Sequence, residues 1–377
     1  MKPRHVAILA HYGEDYLHYR YKFLAYLKSL GYSGFGIVPK DTYESEITRL
    51  PDSTYFYRYE RNWKFVFYLL SSYYRIHKIL KEEQPSHIFT YKFFPNIVGA
   101  LAARKALVPN ICCTIAGIGF LARRRHSLLI TFIFRIYCII LNKADYLVFQ
   151  NQNDLEDFQP YLSKPQCILT NGSGVDKARF TNAINTREHF SKTHGLFPNR
   201  RYLTFCTRIV REKGILELLE AFLALEKANN INFHLIIAGW YDEKDLEEQA
   251  EKLISQSSKI HYLGYQENVK ALIHFSEAVV LPSYYPEGVP RSLTESLAMG
   301  KPIITTDSRG CKETCKNGTN GWIVQPKSVE DLCLALKSFN EITDERLREY
   351  SNNSKKLFEE KFDQKVVFKQ IQKALSL

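Results

Sequence analysis

Short apolar runs alternate with amphipathic stretches along the whole chain, and few architectures tolerate that pattern. In the first half the runs fall at 6–10, 35–38, 87–90, 110–114 and 146–149. Helical patterns lie between them, among others at 16–30, 63–81 and 96–106. The second half repeats the scheme, with runs at 202–206, 233–238, 260–263, 278–281 and 302–306. A run of this kind reads as a strand buried on both faces, which calls for helices above and below a parallel sheet. Two such series over 377 residues exceed one core and predict two domains.

The fold class expected is therefore α/β, two Rossmann-like domains facing each other across a cleft, with ligands at the carboxyl ends of the strands. The polar segment at 176–201 is the expected join. Eight cysteines include Cys112-Cys113 and the Cys311/Cys315 pair, but no Cys-x-x-Cys with a histidine partner. Reduced, mostly buried thiols in a cytoplasmic protein are expected, without a zinc site or other metal.

Net charge is +11 and uneven: residues 1–176 hold 22 basic and 14 acidic side chains, the remainder 29 and 26. A basic first half suits an anionic partner, either a phosphorylated substrate or an acidic membrane face. No nucleic-acid-binding signature accompanies it, so no nucleic acid is expected. The run at 6–10 is too short for the apolar core of a signal peptide and reads as the first strand. The most apolar stretch, 128–141, is 14 residues long, is broken by Arg135, and is too short to span a bilayer. It follows Arg123-Arg124-Arg125-His126. It fits a core helix, and it also fits a helix with one side resting on an anionic membrane.

Around 284–295 the pattern becomes chemical. Tyr284-Tyr285-Pro286-Glu287-Gly288-Val289-Pro290-Arg291-Ser292-Leu293-Thr294-Glu295 joins the run at 278–281 to a short helix, with Pro290 near its start and Gly300 past its end. A strand, a glycine-bearing loop and an open helix N-terminus form an anion site, because unpaired amides and the helix dipole both point at the loop. Glu287 and Glu295 frame it. Carboxylates only accept hydrogen bonds, which suits the hydroxyls of a ribose or hexose, so the pair points to a sugar attached to a phosphate. The same spacing fits an ordinary loop acid and a solvated helix residue. Three more loops lie at strand ends. Gly13, in the loop at 11–15, lets backbone approach a phosphate or simply makes a turn. Gly117 and Gly119 sit in an apolar run with the same two readings. Arg208, Arg211 and Lys213 lie between a strand and a helix. Arg208 and Lys213 suit a diphosphate, Arg as a planar fork and Lys as a point charge, or the loop is simply charged and solvated.

Taken in order, these motifs resemble the GT4 family of retaining glycosyltransferases with the two-domain GT-B fold. The match runs from Asn171-Gly172-Ser173-Gly174-Val175-Asp176 through Arg208 and Lys213 to Glu287 and, seven residues on, Glu295. It includes Gly264-Tyr265-Gln266-Glu267, Leu281-Pro282-Ser283, Gly310-Cys311-Lys312-Glu313-Thr314 and Asn317-Gly318-Thr319-Asn320-Gly321-Trp322. Ahead of it, Ala10-His11 and Leu17-His18-Tyr19-Arg20 look like the subgroup that adds N-acetylhexosamines to undecaprenyl-diphosphate-linked sugars.

The resemblance implies an acceptor-binding domain at 1–170, completed by a helix at 360–377 that crosses back, and a donor-binding domain at 171–359. It implies that Arg208 and Lys213 hold the donor diphosphate and neutralise the leaving nucleotide, and that Glu287 meets the transferred sugar and Glu295 the ribose. Amides at Gly288 and Val289 would meet the phosphates and Gly13 would close the site, while Arg20, Lys92, Arg123, Arg124 and Arg125 would receive a lipid diphosphate. For the charged acceptor candidates, ordinary surface charge remains the other reading.

No cofactor is implied beyond the nucleotide sugar, expected to be UDP-GalNAc or UDP-GlcNAc. No Asp-x-Asp occurs, so the cations rather than a metal would balance the diphosphate. The implied partner is a lipid-linked saccharide, and the implied place is the inner face of the cell membrane, held peripherally. Many family members carry a histidine near 114–117; here the run is Thr-Ile-Ala-Gly, as fits the hexosamine subgroup, and no general base is assigned. Retention in the family is ascribed to same-face attack assisted by the leaving phosphate, without an enzyme nucleophile. Three alternatives stand beside this expectation: a GT4 enzyme with a soluble acceptor, a GT-B sugar-nucleotide epimerase, and a non-catalytic sugar-nucleotide sensor.

Overall fold

In the computed structural model, residues 4–59, 65–119, 127–181 and 187–377 are described. They form two compact units. One comprises Met1–Ser173 with Phe368–Leu377, the other Gly174–Val367.

The first unit is built on a parallel sheet of seven strands: β1 (His5–Leu9), β2 (Ser33–Pro39), β3 (Thr54–Tyr57), β4 (His87–Tyr91), β5 (Asn110–Ile115), β6 (Tyr146–Phe149) and β7 (Gln166–Leu169). Their order is β3-β2-β1-β4-β5-β6-β7. The central strand β1 lies between β2 and β4, with Ala7 opposite Phe35 and Ile88. Val6, Ala7, Ile8 and Leu9 are all fully buried, because helices cover both faces.

The second unit carries a parallel sheet of six: β8 (Arg201–Cys206), β9 (Phe233–Ala238), β10 (Ile260–Tyr262), β11 (Ala278–Leu281), β12 (Ile303–Thr306) and β13 (Gly321–Val324). Their order is β10-β9-β8-β11-β12-β13. In each sheet the sequence direction reverses once, between β1 and β4 and between β8 and β11. At such a switch point the flanking connections leave to opposite faces, which opens a crevice at the strands' carboxyl ends. This places the loops that begin near Gly13 and Lys92 at one switch and those of Arg208–Lys213 and Glu287 at the other.

Three strands escape the alternation pattern: β3, β7 and β13. All three are sheet edges, four residues each, and at least half of their side chains are partly buried or exposed. An edge strand needs one apolar face at most, so no continuous apolar run marks it. The polar segment at 176–201 lies within the second unit, since the division falls at Ser173/Gly174. Arg187 explains its order: the guanidinium donates to the carbonyls of Pro198 (2.7 Å) and Arg200 (2.6 Å) and pairs with Glu277 at 3.0 Å. The Gln364–Leu375 helix starts in the second unit, and from Phe368 on its residues belong to the first. There Phe368 packs on Phe23 with ring centroids 5.0 Å apart, and Tyr26 donates to Gln372.

At the edge of the second sheet His234 of β9 and His261 of β10 share a hydrogen bond of 2.9 Å, Nδ1 to Nε2. One ring must donate and the other accept, so the two cannot both be protonated at this contact. Burial, then the neighbouring His261, hold the His234 pKa down at about 4. A histidine whose folded pKa lies below its unfolded value costs stability as pH falls through that unfolded value, near 6.5, toward 4. The second unit is therefore expected to melt lower at pH 5 than at pH 7.5 in a calorimetric scan. His234→Gln should narrow the difference; an unchanged gap would remove the pair from the explanation.

Candidate active site

The loop leaving β8 runs through Arg208 to a single turn at Arg211–Lys213 and ends on Gly214. Gly214 has φ +78°, and a Cβ there would stand 2.3 Å from the Pro282 carbonyl oxygen. Glycine is required, and it lets the β8 loop press on the loop that follows β11. The two are stitched by the Glu212 carbonyl, which accepts from the amides of Tyr284 (2.9 Å) and Tyr285 (3.1 Å). The β12 loop closes on the same point. Gly310 has φ +79°, and a Cβ there would lie 2.2 Å from the Gly288 carbonyl oxygen, while Ser308 Oγ donates to the Ser283 carbonyl at 2.7 Å.

This stitching brings Lys213 Nζ to 2.6 Å from Glu287 Oε1, with the two side chains only 8% and 15% exposed. Ser283 Oγ donates to the same oxygen at 3.0 Å. Tyr285 lies over the ammonium, 5.6 Å from nitrogen to ring centroid. An ammonium has three donors, so the bond to Glu287 leaves Lys213 able to meet an anion as well. Burial first, and Glu287 second, push the Cys311 thiol up to about 12, so it stays protonated. Arg208, more exposed, pairs with Asp242 at 2.7 Å, and the indole N–H of Trp240 donates to the other Asp242 oxygen at 3.1 Å.

The Arg291–Ala298 helix begins at Pro290, whose own side chain offers no cap to the first turn. Val289 and Gly288 are buried immediately before it. Glu295 is buried in its second turn and is held by Arg291 at 2.9 Å. The Cys206 thiol, at the end of β8, is pushed up to about 12 by burial and then by Glu295, which places that carboxylate beside the strand end. Arg208 and Lys213 thus follow the carboxyl end of β8, and Glu287 and Glu295 follow that of β11, where the Arg291–Ala298 helix begins. Such a set suits a molecule carrying both phosphates and hydroxyls. Among the described residues no three His, Cys, Asp or Glu side chains group as a metal site.

Comparison with known proteins gives this chemistry a family. Residues 186–357 match the model "Glycosyl transferases group 1", and residues 5–151 match "Glycosyl transferase 4-like". The chain belongs to the GT4-like glycosyltransferases. It is similar to the N,N'-diacetylbacillosaminyl-diphospho-undecaprenol alpha-1,3-N-acetylgalactosaminyltransferase of Campylobacter jejuni, at 26% identity over 91% of this chain and 90% of that one. It is also similar to the UDP-Gal:alpha-D-GlcNAc-diphosphoundecaprenol alpha-1,3-galactosyltransferase of Escherichia coli, at 25% identity over 69% and 68%. Among solved structures it superimposes on Anabaena Alr3699/HepE in complex with UDP and glucose, with a TM-score of 0.79, 16% identity, and 99% of both chains covered. The transferase has the GT-B fold, built on two Rossmann-like domains.

In the first unit of the transferase, Gly13 follows β1, and its amide donates to Asp41 Oδ2 at 2.6 Å. Arg20 is not surface charge. It is buried, pairs with Asp15 at 3.1 Å and stacks on Tyr91 with its Cζ 3.8 Å from the ring centroid. Lys92 sits at the end of β4 with φ 73° and ψ 173°, a conformation that costs a side-chain-bearing residue about 1–3 kcal/mol. A buried network holds it there. The Lys92 amide donates to the Thr114 carbonyl at 3.1 Å, and Asn96 Nδ2 donates to that carbonyl and to the Tyr137 hydroxyl. Its ammonium lies 5.0 Å from the Tyr12 ring centroid. Arg123, Arg124 and Arg125 lie outside the described residues.

Asp242 and Trp240 stand in no motif of the sequence, and Ser283, within Leu281-Pro282-Ser283, carries no assigned role there. Trp240 packs edge-on against Tyr265 at 5.6 Å, and both are exposed at the ends of β9 and β10. Their signal is weak in one dimension, since a single aromatic after a strand is unremarkable until a neighbouring strand supplies the second.

Proposed function

We infer that the transferase moves a hexose or N-acetylhexosamine, with UDP-GalNAc or UDP-GlcNAc favoured as donor, to a saccharide carried on a polyprenyl diphosphate. The anomeric configuration is retained. The observation that carries the donor half is the buried Lys213–Glu287 contact of 2.6 Å beside Arg208 at the β8/β11 switch point. Arg208 and Lys213 face the diphosphate and balance the charge that grows on the leaving nucleotide, a role each charge-assisted contact fills with about 1.5–3 kcal/mol. Glu287, already aligned by Lys213 and Ser283, takes hydroxyls of the transferred sugar, and Glu295 takes those of the ribose. Amides at Gly288 and Val289 and the helix start receive phosphate oxygens. Trp240 and Tyr265 offer a stacking surface for the base.

The second unit is then the donor domain. The first, with Gly13, Arg20, Lys92 and the arginines at 123–125, is the acceptor domain. The acceptor class is supported by the two undecaprenol-dependent relatives and by the basic first half of the chain. Among the described residues no helix is long and apolar enough to cross a membrane, and peripheral residence on the inner face of the cell membrane suits a lipid-linked acceptor. With no enzyme nucleophile assigned, the departing phosphate assists same-face attack by the acceptor hydroxyl.

A UDP-release assay with paired substrates tests this. UDP is expected from UDP-N-acetylhexosamine only when a polyprenyl-diphosphate-linked saccharide is present, with the new linkage α by NMR. Turnover of the donor to its epimer without acceptor, preference for a soluble glycan, or binding without release would each replace it with one of the alternatives.

A further inference from the structure

Two helices of the first unit carry apolar side chains that no described element covers. The Phe65–Glu83 helix exposes Phe67, Leu70 and Tyr74, Phe67 at 67%. Steps of three and four residues set them in one stripe. The Leu128–Leu141 helix exposes Leu128, Phe132, Ile136 and Ile139, Phe132 at 61% and Leu128 at 88%. Each helix keeps its other side in the core, through Ile76, Ile79 and Leu80 in the first and Tyr137, Cys138 and Leu141 in the second.

Both pack on the Phe93–Lys105 helix between them. His77 Nδ1 lies 3.4 Å from the Ala102 carbonyl oxygen, and the Phe93 and Tyr137 rings are 4.7 Å apart. The crossovers β3→β4, β4→β5 and β5→β6 all advance in the same direction across the parallel sheet, and right-handedness therefore places all three helices on the same face. The two stripes therefore lie on one side of the unit.

Charge on this side is predominantly basic, although exposed Glu82 pairs with Lys78 at 3.8 Å. Between Glu83 and Asp145 the sequence holds no acidic residue and eight basic ones, and there is none between Glu60 and Glu82. On the first helix the stripe of Phe67, Leu70 and Tyr74 continues into exposed Lys78 and Lys81; on the second, exposed Arg135 adjoins Ile136. Apolar stripes set among an excess of cations complement an acidic lipid surface. A second copy of the chain fits worse, because a two-fold contact would set cations against cations.

We propose that this face seats the transferase on an acidic bilayer. The two stripes sink into the headgroup boundary, and Lys78, Lys81 and Arg135 meet lipid phosphates. This rests on the reading of a lipid-linked acceptor, and it adds the surface and the lipid charge that bring the enzyme to it.

Co-sedimentation with vesicles tests it. The protein is expected to bind phosphatidylcholine vesicles containing roughly one-third phosphatidylglycerol, and pure phosphatidylcholine far less. Phe67→Ser combined with Phe132→Ser should lower binding about tenfold or more. Lys78→Glu combined with Arg135→Glu should erase the preference for the acidic vesicles. Both pairs are exposed, so melting temperature and UDP release with a short-chain, water-soluble acceptor analogue should match the wild type. Equal binding to both vesicle types, wild-type binding by the serine variant, or a dimer in light scattering that the serine variant dissolves would overturn the proposal. Failure of the acceptor reading looks different: vesicle binding persists, and no polyprenyl-linked saccharide is extended.

Discussion

Glu287→Gln is expected to leave the transferase folded and to lower turnover about a hundredfold or more, the scale of removing one aligned polar group from a reacting centre. The amide keeps an oxygen for Lys213 and Ser283, both of which bond to Glu287 Oε1, so melting should shift little. What it loses is the negative charge that strengthens bonds to sugar hydroxyls. Glu287→Ala goes further. It strands a lysine whose side chain is 8% exposed, and breaking a buried pair costs about 3–5 kcal/mol. The alanine variant should therefore lose both turnover and several degrees of melting temperature, while the glutamine variant, whose amide still hydrogen-bonds Lys213 without balancing its charge, loses mainly turnover. Near-normal transfer by the glutamine variant would dismiss Glu287 as the group that meets the sugar.

Arg208→Ala acts on binding. Its partner Asp242 is a third exposed and Arg208 itself more so, and a surface pair of this kind contributes about 0–1 kcal/mol to folding. The loss of one charged contact to a diphosphate is larger, so UDP affinity by calorimetry should fall about ten- to a hundredfold. Arg208→Lys should recover part of it, because charge returns without the fork. Weakening of UMP as severe as that of UDP would place Arg208 away from the second phosphate.

Much of this was legible in the chain. Strands buried on both faces announce themselves as apolar runs, so β1, β4, β8, β9 and β11 could be read directly. The edges β3, β7 and β13 could not, because a strand with one partner carries half the apolar signal. The charged members of the proposed site, Arg208, Lys213, Glu287 and Glu295, stand in motifs with fixed spacing and could be named as candidates. Their pairing could not. That Lys213 meets Glu287 depends on Gly214 lying against Pro282, a contact between loops 68 residues apart in sequence. Arg20 shows the reverse difficulty: an arginine in a polar stretch reads as surface, and only the fold reveals Asp15 and Tyr91 enclosing it. Nor did the apolar stretch at 128–141 declare which of its sides is covered; the helix turns Tyr137, Cys138 and Leu141 inward and leaves the opposite row exposed.

The excursion of the chain into the second unit and back bears on how the protein is made. Residues up to Ser173 leave the ribosome first, yet the packing of Phe23 and Tyr26 awaits Phe368 and Gln372, which are translated only after the second unit. Domains tend to form in the order of synthesis, so the earlier half must persist unfinished while the later one closes. Until those last residues arrive, Phe23 and its neighbours are a sticky surface that a chaperone can hold.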